Sequence, residues 1–330
     1  VVGGSCAEIL LRDVSLLERS AGEQLELAYV LARRELPDRL YRDKVVTDFF
    51  VIERDANVFL VIETIGGCGA ALEYVRRALA AGKHVVTANK QLIAEHGTEL
   101  LALAKANGVS LLFEASVGGG IPVLHPLSQC LGANEIYEVR GILNGTTNFI
   151  LTQMLEHGQS YEAALRDAQT RGYAEQDPTA DIEGHDACRK ICILAALAFG
   201  QHVYPDQVPT QGIRGVTLAD VAYADSCGYK IKLLGRAIRE GDGKLCAFVA
   251  PHLVPASNPL SGVEDVFNAI SVTGNAIGDV MFYGRGAGKL PTASAVVADI
   301  MDIVKSKGNK KPLSWGPGGE DTVYSPADLT

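Results

Sequence analysis

The sequence predicts an α/β chain in two parts. A doubly wound domain of parallel strands comes first, and an α+β domain with a mostly antiparallel sheet follows. Three observations predict it. Short apolar runs alternate with helical patterns early on, as in residues 58–65 followed by 70–81. A glycine cluster, Gly118-Gly119-Gly120, then precedes Ile121-Pro122 and suits neither a helix nor a strand interior. Beyond it the strands alternate apolar and polar residues, and two of them flank a Gly274-Asn275 turn signal. The expected division is 1–122 for the first domain, joined by a returning segment at 284–308. Residues 123–283 form the second domain and 309–330 a tail.

Composition narrows the function classes. A net charge of −9 argues against nucleic acid or an anionic membrane as main partner. The seven cysteines are scattered and none forms CxxC, which fits reduced thiols in a cytoplasmic protein. No stretch is long and apolar enough to span a bilayer.

Val1-Val2-Gly3-Gly4 reads as the end of a glycine turn entering a helix. A dinucleotide-binding fold places a strand and Gly-x-Gly just ahead of such a helix, so those elements are expected before Val1. Residues 25–31 suit the second strand, which ends near Arg33-Arg34-Glu35. An acid here would bind the 2′-hydroxyl of NAD, and an arginine the 2′-phosphate of NADP. Plain surface charge is the alternative. Residues 58–67 form a buried parallel strand running into Gly66-Gly67. The next strand, 83–90, carries Asn89-Lys90 at its carboxyl end, where ligands lie in such sheets. A helix at 99–107 and a strand from Val109 lead to the glycine crossover.

A helix at 126–131 and an alternating strand at 135–143 follow. Asn144-Gly145-Thr146-Thr147 then offers a turn, a cap and free amides at a helix start, suited to a carboxylate. Helices are expected at 148–157 and 161–171, and strands at 231–239, 245–254 and within 268–283. Gly284 to Gly288 is a second glycine loop, and Thr292 or Ser294 offers a cap for the helix after it. The tail from Lys305 is polar and shows no core pattern.

Residues 172–190 hold five acids and one lysine at the start of an apolar helix. Pro178 keeps 175–181 in a loop. Asp186 and Lys190, at i and i+4, share one helix face, whereas His185 points about 100° away and reads as structural. Taken alone, the stretch is a capped helix with a salt bridge.

Ala168, Gly172-Tyr173-Ala174-Glu175, Asp177-Pro178, Asp181-Ile182, Gly184, Asp186 and Lys190 together resemble the signature of homoserine dehydrogenases. The resemblance implies a Rossmann-type first domain. It also implies NAD(P)-dependent, reversible reduction of L-aspartate 4-semialdehyde to L-homoserine, in threonine, methionine and isoleucine biosynthesis. Val1, Val2 and Gly3 match the last positions of the family's glycine turn. With Arg34 (Arg33 as near alternative), Thr64, Lys90 and Gly286 they would hold the cofactor. NADP(H) is favoured and NAD(H) possible. Glu114 and the carbonyls of Val117, Gly119 and Ile121 match a monovalent-cation site, usually sodium. Glu175 and Asp186 would take the substrate's ammonium and hydroxyl end, supported by Asp181, Tyr173, Gly145 and Thr146. Lys190 would donate the proton, with Lys90 the second candidate. The second domain's sheet would build a homodimer. Many relatives continue into a small regulatory domain beyond a tail like this one, so the chain is expected to be truncated at both ends. The rival readings are another amino-acid dehydrogenase, such as aspartate dehydrogenase, and a scaffold that has lost cofactor binding.

Overall fold

The computed structural model describes residues 1–240, 243–306, 313–319 and 322–328. They fall into two compact units, Val1–Ser116 with Gly288–Ser314, and Val117–Ala287 with Trp315–Thr330.

The first unit opens with helices α1 (Val2–Arg12) and α2 (Val14–Ala21). There follow β1 (Val30–Leu31), β2 (Val45–Val46), α3 (Phe49–Arg54), β3 (Leu60–Glu63) and α4 (Gly69–Ala80). Then come β4 (His84–Thr87), α5 (Lys90–Ala106) and β5 (Leu111–Leu112). All its strand pairs are parallel, in two sheets ordered β1-β2 and β3-β4-β5. Val85 and Val86 of β4 are fully buried, as a continuous apolar run requires.

Two expectations shift in this unit. The strand at 25–31 shortens to its last two residues, because β2 offers only two residues of register. Helix α5 begins at Lys90 and not at Glu99, because the Asn89 side chain accepts the Leu92 N–H at 3.1 Å and caps it there.

The second unit starts at the glycine crossover. Gly119 has φ 57°, and a Cβ on it would stand 2.5 Å from the Gly286 carbonyl oxygen. Two glycine loops thus pack backbone to backbone, tied by the Gly120 N–H donating to the Arg285 carbonyl. After a wide helical turn at Pro126–Cys130 come β6 (Ile136–Ile142), α6 (Gly145–His157), α7 (Tyr161–Thr170) and α8 (Thr179–Ile182). Next are α9 (His185–Phe199), α10 (Leu218–Ser226), β7 (Tyr229–Arg239) and β8 (Leu245–Pro255). The hairpin strands β9 (Phe267–Gly274) and β10 (Gly278–Arg285) follow. Helix α11 (Lys289–Lys305) returns to the first unit, and β11 (Val323–Tyr324) rejoins the second.

The sheet order is β10-β9-β6-β7-β8-β11, antiparallel except for the β8–β11 edge. Helix α9 lies across β6, β7 and β8. It comes close because Gly235 leaves a trough: a Cβ there would stand 2.8 Å from Leu143 Cδ1 and 3.1 Å from Ile191 Cβ.

Three further expectations are corrected. Helix α10 was not foreseen, although Thr217 and Asp220 form a reciprocal capping box at its start. Helix α11 begins after Gly288, so Thr292 and Ser294 lie inside it and cap nothing. The tail does contribute to a core: Trp315 is buried and donates its indole N–H to His202 Nδ1 at 2.9 Å. Residues 309–312, 320, 321, 329 and 330 of the expected tail lie outside the described residues. All seven cysteines are free thiols. Among the described residues no helix is long and apolar enough to cross a membrane.

Candidate active site

The second unit gathers its polar groups where β6 runs into α6. Asn144 ends the strand and caps the helix, its Oδ1 accepting the Thr147 N–H at 2.8 Å. Its Nδ2 donates to Asp181 Oδ1 at 2.7 Å and to Asp186 Oδ2 at 3.0 Å. One amide therefore fixes two acids. Thr146 Oγ1 lies 2.7 Å from the Tyr173 carbonyl oxygen and 3.0 Å from Asp181 Oδ2, so its single proton can serve either.

Helix α9 supplies the other face. Gly184 and Gly200, both left-handed, bound it, and nearly all its residues are buried. Lys190 is 6% exposed. An ammonium in such a place needs partners. Nζ donates to Asp186 Oδ2 at 2.6 Å and to the Leu143 carbonyl at 2.7 Å. Asp186 Oδ2 thus receives both Asn144 and Lys190. Burial, and then the charge of Asp186, push the Asp181 carboxyl above its ordinary value, against the hydrogen bonds from Asn144 and Thr146. The group is a buried lysine hydrogen-bonded to Asp186, with Asp181 tied to the same cluster through Asn144.

Of the residues predicted from sequence, Thr146, Asp181, Asp186 and Lys190 join this hydrogen-bonded group. Tyr173 joins through its backbone, with its exposed ring edge-on to Phe149. Gly145 begins α6, where a Cβ would meet the Val266 carbonyl oxygen at 2.7 Å. A Cβ on Gly286 would stand 1.9 Å from Asn268 Nδ2. Glu175 is exposed on the loop and stands outside the network; only its carbonyl is engaged, by Gln169 at 3.2 Å. His185 is exposed, as expected for a residue turned away from Asp186. Asn144 was read only as a cap, and its link to both acids was missed.

The first unit holds the residues assigned to the cofactor, apart from Gly286. Gly3, in the first turn of α1, lies where a Cβ would stand 2.5 Å from Thr64 Oγ1. Val1 is exposed, Val2 begins the helix, and Arg34 is exposed beyond β1. Gly66 and Gly67 both have positive φ. Sequence reasoning missed what holds their loop. Buried Glu63 accepts the Ile65 N–H at 2.6 Å, the Gly66 N–H at 3.1 Å and the Thr87 hydroxyl. Asn89 Nδ2 donates to the Gly67 carbonyl at 2.7 Å. These bonds join the carboxyl ends of β3 and β4, and Lys90 follows directly as the first residue of α5. The helix dipole disfavours a cation there, so helix stability does not explain that lysine. Glu114 is buried, with its N–H donating to Asp299 Oδ2 at 2.8 Å. The boundary after Ser116 leaves Glu114 in the first unit and Val117, Gly119 and Ile121 in the second.

Residues 122–301 match the family model for homoserine dehydrogenase, and residues 1–114 match that for the homoserine dehydrogenase NAD binding domain. The chain belongs to the homoserine dehydrogenase family. It is 45% identical over 306 residues to the homoserine dehydrogenase of Pseudomonas aeruginosa, spanning 92% of this chain and 70% of that protein. It is also 45% identical over 335 residues to the Bacillus subtilis homoserine dehydrogenase, spanning 99% of this chain and 77% of that one. A homoserine dehydrogenase structure from Thiobacillus denitrificans superimposes with a TM-score of 0.90 at 40% identity, covering 98% of this chain and 76% of that one. A hyperthermophilic archaeal homoserine dehydrogenase in complex with NADPH superimposes with a TM-score of 0.77 at 28% identity, covering 94% of this chain and 96% of that one. The fold is that of the homoserine dehydrogenases, and the chain is an NAD(P)-dependent oxidoreductase of that family.

Proposed function

We propose that the chain reduces L-aspartate 4-semialdehyde to L-homoserine, reversibly, with Lys190 as the proton donor. The observation that carries this reading is the buried Lys190–Asp186 pair bridged through Asn144 to Asp181. Its second half is the family match over both units. A bound nicotinamide would supply the hydride. The residues of the chain do the rest. Asp186 and the Leu143 carbonyl aim Nζ, which gives its proton to the aldehyde oxygen as that oxygen becomes a hydroxyl. Asp181, Asp186 and Glu175 offer carboxylates to the substrate's ammonium, and the amides opening α6 suit its carboxylate. Lys90 is the second candidate for the proton, because it follows the carboxyl end of β4.

Gly3 against Thr64, and the braced loop at 64–67, support a cofactor on the first unit. Arg34 supports NADP(H) over NAD(H), as does the NADPH complex of the archaeal relative. The groups that the family resemblance assigns to a cation, Glu114 and the Val117, Gly119 and Ile121 carbonyls, all offer oxygen, the donor type that suits a hard monovalent cation such as sodium. The sheet face turned away from α9 supports a homodimer. There Arg236 pairs with Glu138 and lies over Phe248, while Met281 and Tyr283 are 42% and 55% exposed. Seven free thiols support a cytoplasmic setting. The deciding assay is homoserine-dependent NADP reduction. A folded protein that shows none with either NADP or NAD would sink the reading.

A further inference from the structure

The geometry points to a binding site for a zinc-class divalent cation, made by Cys68, Glu95 and His96. Among the described residues, one group of three His, Cys, Asp or Glu ligand atoms comes this close together, all within 4.8 Å of one another. The three side chains are half-buried and lie within the first unit. Zinc bound by thiolate, imidazole and carboxylate needs ligand atoms roughly 3 to 4 Å apart, so closing the triangle asks for shifts of about 1 Å. The Cys68–Glu95 edge is already at 3.2 Å, with Sγ directed at Oε2.

Two local features bear on how these side chains could serve an ion. Cys68 stands at the N-cap of α4 yet makes no side-chain cap hydrogen bond. Its backbone is helical there (φ −104°, ψ −18°), which does not suit a side-chain cap, and the thiol turns to Glu95 of α5. His96 has a carboxylate one helical turn further along α5. Its Nδ1 lies 4.0 Å from Glu99 Oε2, and both Glu99 oxygens are held by Arg76 at 2.6 Å. The 4.0 Å distance is beyond a hydrogen bond, so neither ring nitrogen is committed to Glu99 and either can turn to an ion. Mixed S, N and O donors select a borderline cation such as Zn²⁺ over Mg²⁺ or Ca²⁺. Three protein ligands leave the fourth position to water. On binding, Cys68 loses its thiol proton to solvent and no electron moves.

The position gives the ion a consequence. Cys68 directly follows Gly66-Gly67, and Asn89, which holds the Gly67 carbonyl, caps the helix that carries Glu95 and His96. An ion here would pin the glycine loop to α5.

The test strips the full chain with EDTA, then titrates Zn²⁺ against a chromophoric chelator and records absorption with Co²⁺ in its place. The expected result is about one ion per chain, a thiolate-to-cobalt charge-transfer band and a raised Tm with Zn²⁺. Cys68→Ser, a near-isosteric change at a half-buried position, should keep the fold, lose the band and bind Zn²⁺ at least about tenfold more weakly. His96→Gln should weaken binding similarly. Replacing the exposed Cys130 and Cys227 with serine should change neither readout. No uptake at micromolar metal, or a band and affinity unchanged in Cys68→Ser, would overturn the site.

Discussion

Two lysines of the second unit are buried almost equally, yet their surroundings differ. Lys190 on α9 is 6% exposed and Lys232 on β7 is 2% exposed. Lys190 meets a carboxylate. Lys232 meets only neutral oxygens, Asn148 Oδ1 at 3.2 Å and the Val263 carbonyl at 2.5 Å. Burial, and then the charge of Lys230, lower the Lys232 ammonium to about 8. Its partners stitch β7 to α6 and to the turn at Pro259–Gly262, a cross-link with no acid to work on. Lys190 shares its acid with the amide that also orients Asp181. A buried lysine therefore reads as chemistry only when its counter-ion is itself organised for a ligand.

The strongest break in this comparison is Lys190→Ala. Loss of a general acid should lower kcat by roughly 10³- to 10⁴-fold, while the thermal transition persists. Near-normal turnover in a folded variant would transfer the role away from Lys190. Lys232→Met should leave turnover within about tenfold and show its effect in stability instead. The folded Lys232 gives up its proton at about 8, before the unfolded one does near its ordinary 10.5. Between those values the unfolded chain binds more protons, so this group's contribution to stability rises with pH. The wild-type-minus-variant unfolding free energy should therefore grow by about 3 kcal/mol from pH 8 to 10.5. A flat difference in denaturant titrations would mean that Lys232 titrates normally.

Asn144→Ala cuts both acid links and the cap at once. It should lower kcat/KM by about 10- to 100-fold, since each hydrogen bond to a charged group contributes about 1.5–3 kcal/mol. Equal kinetics in steady-state assays would show that Lys190 alone organises Asp186. The smallest effect belongs to the first unit. Arg34→Glu should shift the NADPH-to-NADH ratio of kcat/KM by about tenfold toward NADH. An unchanged ratio would remove the 2′-phosphate contact.

Much of this was legible because periodicity and punctuation were strong. Gly200 stops α9, Gly274-Asn275 turns the hairpin, and Asp186 with Lys190 share a helix face by spacing alone. What escaped depended on contacts between distant positions. Nothing local marks Asn144 Nδ2 as the bridge between two acids far along the chain, or Glu63 as the anchor of a loop through Thr87. Thr217 and Asp220 did carry a local signal, and the helix they cap was overlooked. Trp315 sits among glycines and prolines, where composition reads as loop although its ring stacks on His202.

That tryptophan has a consequence for how the molecule survives at high concentration. It precedes β11, which covers Leu245 and Cys246 on the outer side of β8, while the 209–211 segment covers Val249. Together they guard a strand border that would otherwise offer unpaired amides to a stray chain. Trimming the protein after Ser314 should thus first be seen as turbidity on warming, before any change in hydride transfer.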